Sequence, residues 1–345
     1  MKVNSLILYI LVLLIVLPSC FHPKENENII VLRDNYISRT VSLDKNLLLY
    51  GTRDTLIEVK NMETQEIIYS DKIGEQGNAK PVIKGQLIYY PRSRRFFVCK
   101  NIKTMQTVWM KPIEGRCSEF KFMDDSTIIA SIKGYGMMVF NARTGDKIFD
   151  IRYDAVGTSG GDNSPWPLVF DDSSIYASNF NKDLITCFDR FTGQIKWSNR
   201  SDGYAGQPLL LGESLFLGVN EFYKGGMVYL FNKRSGKIEL NYECNFDERV
   251  SPLKHQKQVL FYAYDGRIMK FDVETHAFKE LIKLKKKRRV TSTEFGFIDN
   301  CLYFEDCDFN VIKFDITKRE LTKVYKLNRG LYGIFEYKGK IYILQ

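Results

Sequence analysis

The sequence predicts an all-β chain: a single β-propeller of eight blades, each of four antiparallel strands, with the last blade closed by the N-terminal strand. Three observations predict it. One turn signature recurs seven times at near-constant spacing, a second set of eight hairpins runs in phase with it, and no stretch sustains helical periodicity. A seven-bladed ring with a loose C-terminal hairpin is the alternative.

The turn signature comes first. It reads Asn61-Met62-Glu63-Thr64, Asn101-Ile102-Lys103-Thr104, Asn141-Ala142-Arg143-Thr144-Gly145 and Asp189-Arg190-Phe191-Thr192-Gly193. It continues as Asn232-Lys233-Arg234-Ser235-Gly236, Asp272-Val273-Glu274-Thr275 and Asp315-Ile316-Thr317-Lys318. The steps between leading residues are 40, 40, 48, 43, 40 and 43. Asn or Asp caps such a turn by accepting a backbone N–H two residues on, and Thr or Ser adds a second local bond. Gly145, Gly193 and Gly236 suit a positive φ. An apolar strand precedes each turn and another follows, so each turn joins the third and fourth strands of a blade. The fifth residue after the Thr/Ser position is Tyr69, Trp109, Phe149, Trp197 or Leu240 in five repeats.

The second set supplies the first two strands of each blade. Examples are Pro81 to Tyr90, Phe120 to Ala130, Leu168 to Ser178, Pro208 to Gly218 and Gly296 to Phe304. Thr40 to Tyr50, Pro252 to Ala263 and Ile334 to Leu344 complete the eight. Each is an apolar strand, a polar turn and another apolar strand. The eighth hairpin lies at the C-terminus without partners, and Asn28 to Arg33 is an orphan strand at the other end. A ring that borrows the N-terminal strand to finish its last blade accounts for both and leaves no open sheet edge between ends.

The N-terminus reads as a targeting segment. Met1 and Lys2 precede an apolar run from Leu6 to Leu17, and Pro18-Ser19-Cys20 leads into a polar stretch. The run is shorter than the roughly 20 residues a spanning helix needs. Leu17-Pro18-Ser19-Cys20 resembles the bacterial lipobox, with Pro18 an unusual member. That resemblance implies cleavage before Cys20 and acylation, palmitate included, of Cys20. An ordinary secretory signal with a chance cysteine is the plainer reading. The expected division is 1–19 signal peptide, 20–28 lipidated tether and 29–345 propeller.

Composition narrows the function. The net charge is +9, and its sharpest run is Lys283 to Arg289 (KLKKKRR). It could meet phosphates, anionic lipid or an acidic protein, or be a solvated inter-strand loop. Export argues against a nucleic-acid partner. Cys99, Cys117, Cys187, Cys244, Cys301 and Cys307 show no zinc or disulfide spacing. Cys99 and Cys187 fall in apolar strands and read as small buried hydrophobes.

Asp189-Arg190-Phe191-Thr192-Gly193-Gln194-Ile195-Lys196-Trp197 resembles the PQQ-like repeat: apolar strand, Asp/Asn-x-x-Thr-Gly, then a strand bearing Trp. Asn101 to Trp109 keeps the Asn, Thr and Trp, with Met105 in place of glycine. Asn141 to Phe149 and Asn232 to Leu240 keep Thr-Gly or Ser-Gly and lose the Trp. The rhythm spans about residues 29–345, but the motif is specific only in the middle. The resemblance implies a propeller, either of the quinoprotein-dehydrogenase kind or of the BamB-type scaffold lipoproteins of outer-membrane barrel assembly. Fold alone does not choose between them.

The chemistry argues for binding. The family's alcohol dehydrogenases use adjacent cysteines against the quinone, and none are adjacent here. Sugar-oxidising members use a His base. The histidines here are His22 in the tether, His255 in a hairpin turn and His276 in a surface turn. No GxSxG, HExxH, P-loop or EF-hand loop is present. The expectation is therefore no catalytic residue, no metal site and no cofactor. The 48-residue step contains Val156 to Pro167, where Asp162, Asn163 and Trp166 are candidate contacts for a partner or a glycan. Trp166 could equally plug a gap between blades. Arg92, Arg94 and Arg95 form a second candidate patch, or an exposed turn. The leading expectation is a monomeric lipoprotein, held to the outer rather than the inner membrane, that docks another envelope protein. A glycan- or ligand-binding propeller is the second, and a degenerate PQQ-dependent dehydrogenase the third.

Overall fold

The computed structural model describes residues 29–344 apart from 33–35, 53–55, 74–78, 94, 153–167, 179–182, 201–202, 222–224, 248–249, 286–289, 291–294, 329 and 332. The seven signature turns share one geometry. The Oδ1 of Asn61, Asn101, Asn141, Asp189, Asn232, Asp272 and Asp315 accepts the backbone N–H groups two and three residues on, at 2.9–3.4 Å. In five of them the Thr or Ser hydroxyl accepts a further N–H two residues later. Every turn then needs one left-handed residue. Glycine fills it at 145, 193 and 236, and Gln65, Met105, His276 and Arg319 fill it with φ between 55° and 63°.

These turns join the last two strands of seven blades, at residues 36–72, 82–112, 116–152, 168–200, 203–243, 253–283 and 296–326. In each blade the four strands pair in chain order and antiparallel. Blade 5 has its innermost strand in two pieces, Gly203–Ala205 and Leu209–Leu211, which both pair with Ser214–Glu221. Pro208 between them has no N–H to give to the ladder.

The ring closes on the N-terminal strand, as the sequence predicts. Ile29–Leu32 pairs with Lys340–Leu344, which pairs with Gly333–Tyr337. Among the described residues this eighth sheet has three strands, and the N-terminal one runs parallel to its neighbour, with Ile29 opposite Ile341 and Leu32 opposite Leu344. The connection forward explains the polarity. Residues leaving Leu32 must enter the innermost strand of blade 1, Tyr36–Asp44, so the closing strand takes the direction of an outermost strand. With no third strand between them, it lies parallel on the second.

The core is divided among the blade interfaces. Eight clusters of buried apolar side chains lie one between each pair of neighbouring blades, including blades 8 and 1 (Leu48, Tyr50, Tyr342, Leu344) and blades 7 and 8 (Tyr303, Val311, Ile343). Strand alternation puts successive side chains on opposite faces, so each sheet supplies both of its interfaces. Cys99 and Cys187 are among these buried residues. No helix of the described residues is long and apolar enough to cross a membrane.

Candidate functional site

Strand direction gives the ring two unlike faces. Antiparallel order puts the first-to-second and third-to-fourth connections of every blade at one end, the turn face. The second-to-third connections and the links between blades lie at the other, the loop face. The turn face is built from the short capped turns above. Chain length and sequence variety concentrate on the loop face, where function usually sits on such a scaffold.

Arg92 and Arg95 lie on the loop face, in the hairpin between the second and third strands of blade 2. Arg92 ends the strand Leu87–Arg92 opposite Phe96 and is half-buried. Arg95 is exposed. Its N–H donates to the Arg92 carbonyl at 3.2 Å, and its own carbonyl accepts the Ile113 N–H at 2.8 Å. The second bond ties the hairpin to the link toward blade 3.

Behind Arg92 sits a charge cluster that no local pattern announces. Asp71 of blade 1 accepts bonds from Lys100 Nζ at 2.6 Å, the Tyr90 hydroxyl at 2.6 Å and the Tyr69 hydroxyl at 3.3 Å. Burial pushes the Asp71 carboxyl up, but the bonds from Lys100 and Tyr90 and the charges of Lys100 and Arg92 outweigh it, and its pKa is lowered. The phenols of Tyr69 and Tyr90 are raised, by burial first and by Asp71 next. Arg92 thus contributes to the interface of blades 1 and 2, whereas Arg95 is available to a partner.

Blade 3 continues the face with Tyr135, whose hydroxyl donates to Asp150, and with Arg152, which lies 5.1 Å over the Tyr135 ring and bonds Asp150 Oδ2 at 3.3 Å. Burial and Asp150 push the Tyr135 phenol up to about 12. Across the ring, blade 7 is acidic. Asp306 caps the N–H groups of Asp308 and Asn310 at 2.9 and 2.8 Å, and buried Glu305 accepts the Leu331 N–H at 2.8 Å.

Cys20, Arg94, Asp162, Asn163 and Trp166 lie outside the described residues, as does His22. The link that holds Asp162, Asn163 and Trp166 joins Lys147–Arg152 to Leu168–Phe170, whose joined ends both lie at the loop face. Of the basic run, Lys283 and Lys285 are exposed, Leu284 is buried and 286–289 are outside the described residues.

The histidines of the ring pack on aromatic rings. His255 lies 4.4 Å from Phe297, and His276 occupies a left-handed turn position 6.1 Å from Phe271. Among the described residues no three His, Cys, Asp or Glu side chains gather as a metal site.

A cleft of about 380 Å³ lies on the turn face between blades 4 and 5, lined by Asp171, Ser174, Tyr176, Lys196 and Lys233 among others. Its cations are paired within it or at its edge: Lys233 with Asp171 at 3.4 Å and Glu213 at 3.5 Å, Arg234 with Glu213 at 2.7 Å, and Lys196 with Asp189 at 3.3 Å. It is a self-compensated ion cluster. Its sequence signal is Lys196, at the position where blades 1 to 3 have Ile68, Val108 and Ile148.

A family model described as outer membrane protein assembly factor BamB matches residues 33–242, which is blades 1 to 5. No curated protein matches by sequence. Among solved structures, BamB from Moraxella catarrhalis is 17% identical with a TM-score of 0.60, over 77% of this chain and 81% of that one. The computationally designed Ika8 protein gives 14% and 0.72 over 92% and 98%. Sqt1 of Saccharomyces cerevisiae gives 12% and 0.69 over 89% and 91%. At these identities the structural likenesses show the fold.

Proposed function

The chain belongs to the family of outer membrane protein assembly factor BamB, and on that premise we propose that it is a non-catalytic envelope scaffold whose loop face docks a protein partner in outer-membrane protein assembly. The observation that carries the reading is the coincidence of the family match with the five blades that bear the exposed Arg95 and the longest inter-blade link. Arg95 and the two described ends of that link, Arg152 and Leu168, lie on the same face, as a docking scaffold requires. Acylation at Cys20 would hold the ring at the outer membrane through a short tether.

The reading is tested by photo-crosslinking in cells, with a photoreactive residue at Arg95 on the loop face and, as control, at Lys257 on the turn face. The expected result is a crosslink from Arg95 to a component of the barrel-assembly machinery and none from Lys257. Crosslinks from neither position, or equally from both, would sink it. Addition of pyrroloquinoline quinone with Ca²⁺ checks the non-catalytic part. A new bound-quinone absorbance with alcohol or sugar oxidation would replace the scaffold by an enzyme.

A further inference from the structure

The direction of the closing strand fixes where the tether leaves the ring. Ile29 stands opposite Ile341, next to the turn that joins Gly333–Tyr337 to Lys340–Leu344. That turn is a first-to-second connection, so the chain enters blade 8 on the turn face. Phe21 to Asn28 is eight residues. Such a segment spans roughly 16 Å as a coil and about 28 Å fully extended. A six-residue strand is about 20 Å long. A bilayer beneath the turn face therefore lies within reach of Cys20, whereas one on the loop face would need most of the extended length spent on the blade height alone.

Exposed apolar side chains occur on both faces, with Tyr204 at 55% and Phe309 at 50% on the loop face, so the exit of the tether decides the side and the tips of the turn face supply the contact. Phe191 is 70% exposed and Met105 53% exposed, each at the apex of a signature turn. Behind the apices, Ile67, Val108, Ile148, Ile195 and Ile238 are 43–61% exposed at the start of the outermost strands of blades 1 to 5. They form an apolar shoulder where the turn face meets the rim. Blades 6 and 7 also place an apolar residue at these positions, Phe278 and Leu321, but there it is half-buried against the blade-interface core. The capped turns themselves mix Lys103 and Arg143 with Glu63 and Glu274, so apolar contact rather than net charge would seat the ring. A tether makes weak contacts sufficient, since it keeps the local concentration of the surface high.

We propose that the turn face is the membrane-facing surface of the ring, seated on the lipid bilayer through Met105 and Phe191, with the loop face turned away from the bilayer toward its partner. This rests on the reading above that Cys20 carries the anchor.

The test uses the full membrane-extracted protein in phosphatidylethanolamine–phosphatidylglycerol vesicles containing a quencher-labelled lipid. Mass spectrometry first establishes whether Cys20 is acylated. A fluorophore is then placed on Cys307, the exposed thiol of the loop face, or on Lys103→Cys in a Cys307→Ser background, beside Met105 on the turn face. The expected result is severalfold stronger quenching at position 103 than at 307. Replacing Met105 and Phe191 together by Ser should then bring quenching at 103 down to the level at 307. An acylated protein quenched equally at both positions, more at 307, or at neither, overturns the orientation and leaves the anchor standing. A protein without acyl mass on Cys20 overturns the anchor, and the orientation with it.

Discussion

Blades 2 to 5 and blades 6 to 8 solve the same packing problem with different chemistry. In the first arc an aromatic of one blade covers the glycine of the next blade's turn. Trp109 lies over Gly145, Phe149 over Gly193 and Trp197 over Gly236, so close that an added Cβ would stand 2.6–3.0 Å from the ring. The indole N–H groups of Trp109 and Trp197 also donate to the Ala142 and Lys233 carbonyls at 3.0 Å. A bulge near the start of the outermost strand produces this aim. It lies between Val59 and Lys60, Cys99 and Lys100, Val139 and Phe140, Cys187 and Phe188, and Leu230 and Phe231 of the pairing strand in blades 1 to 5. The extra residue there turns outward, and the next side chain turns onto the neighbouring blade.

In blades 6 and 7 the bulge has moved toward the loop end, between Ile268 and Met269 and between Val311 and Ile312. Leu281 is buried there instead, and the turns do without glycine. The lesson is that a blade needs alternation, a capped turn and one left-handed residue. The aromatic-over-glycine clasp is one way to lock neighbours, and the family model ends where the clasps end.

The comparison can be broken at its strongest point by Trp109→Ala. This residue is 6% exposed, so the cavity and the lost bond to Ala142 should cost about 3–5 kcal/mol, read by urea unfolding. A loss below about 1 kcal/mol would show that the clasp is ornamental. Gly145→Ala should cost about 2–4 kcal/mol, from overpacking against the Trp109 ring plus an unfavourable left-handed alanine. In the Trp109→Ala background the same change should cost only the backbone part, a coupling that a double-mutant cycle measures.

Two carboxylates sharpen the contrast through pH. The folded pKa of Asp71 is lowered despite burial, so its stabilisation is present above the ordinary carboxylate range and is lost as pH falls through the folded value. Asp71→Asn should cost roughly 1–3 kcal/mol near neutrality and flatten the acid limb of the stability profile. Glu305 is raised, by burial first and by Asp306 next. The native state then holds its proton more tightly than the unfolded chain does. Stability falls as pH rises from the ordinary carboxylate value through the folded one. Glu305→Gln should therefore be neutral or stabilising near pH 7, since the amide oxygen can still accept the Leu331 N–H. A loss there as large as that of Asp71→Asn would contradict the assignment. The smallest effect belongs to His276→Gly, which relieves a φ of 55° and should gain up to about 1 kcal/mol, visible as a modest rise in Tm.

Much of the ring was legible because its information is local. A capping Asn or Asp, a hydroxyl three residues later and flanking alternation all lie within a short window, and seven phased copies exclude chance. The mismatch between eight hairpins and seven turns announced closure by the N-terminal strand. Arg95 could be nominated because it stands in a polar break between apolar strands. The Asp71 cluster could not, because Tyr69, Tyr90 and Lys100 are drawn from two blades and meet only when those blades pack. The cleft at Lys196 and Lys233 is equally a product of two blades.

By itself, then, the sequence determined the all-β class, the repeat and the turn chemistry, since each follows from hydrogen-bonding and alternation within a few residues, and it favoured eight blades over seven. Only the tertiary structure decided that the closing strand runs parallel, which face the tether leaves, and which charges sit together. Those depend on how separate blades approach in space, and a period along the chain carries no record of it.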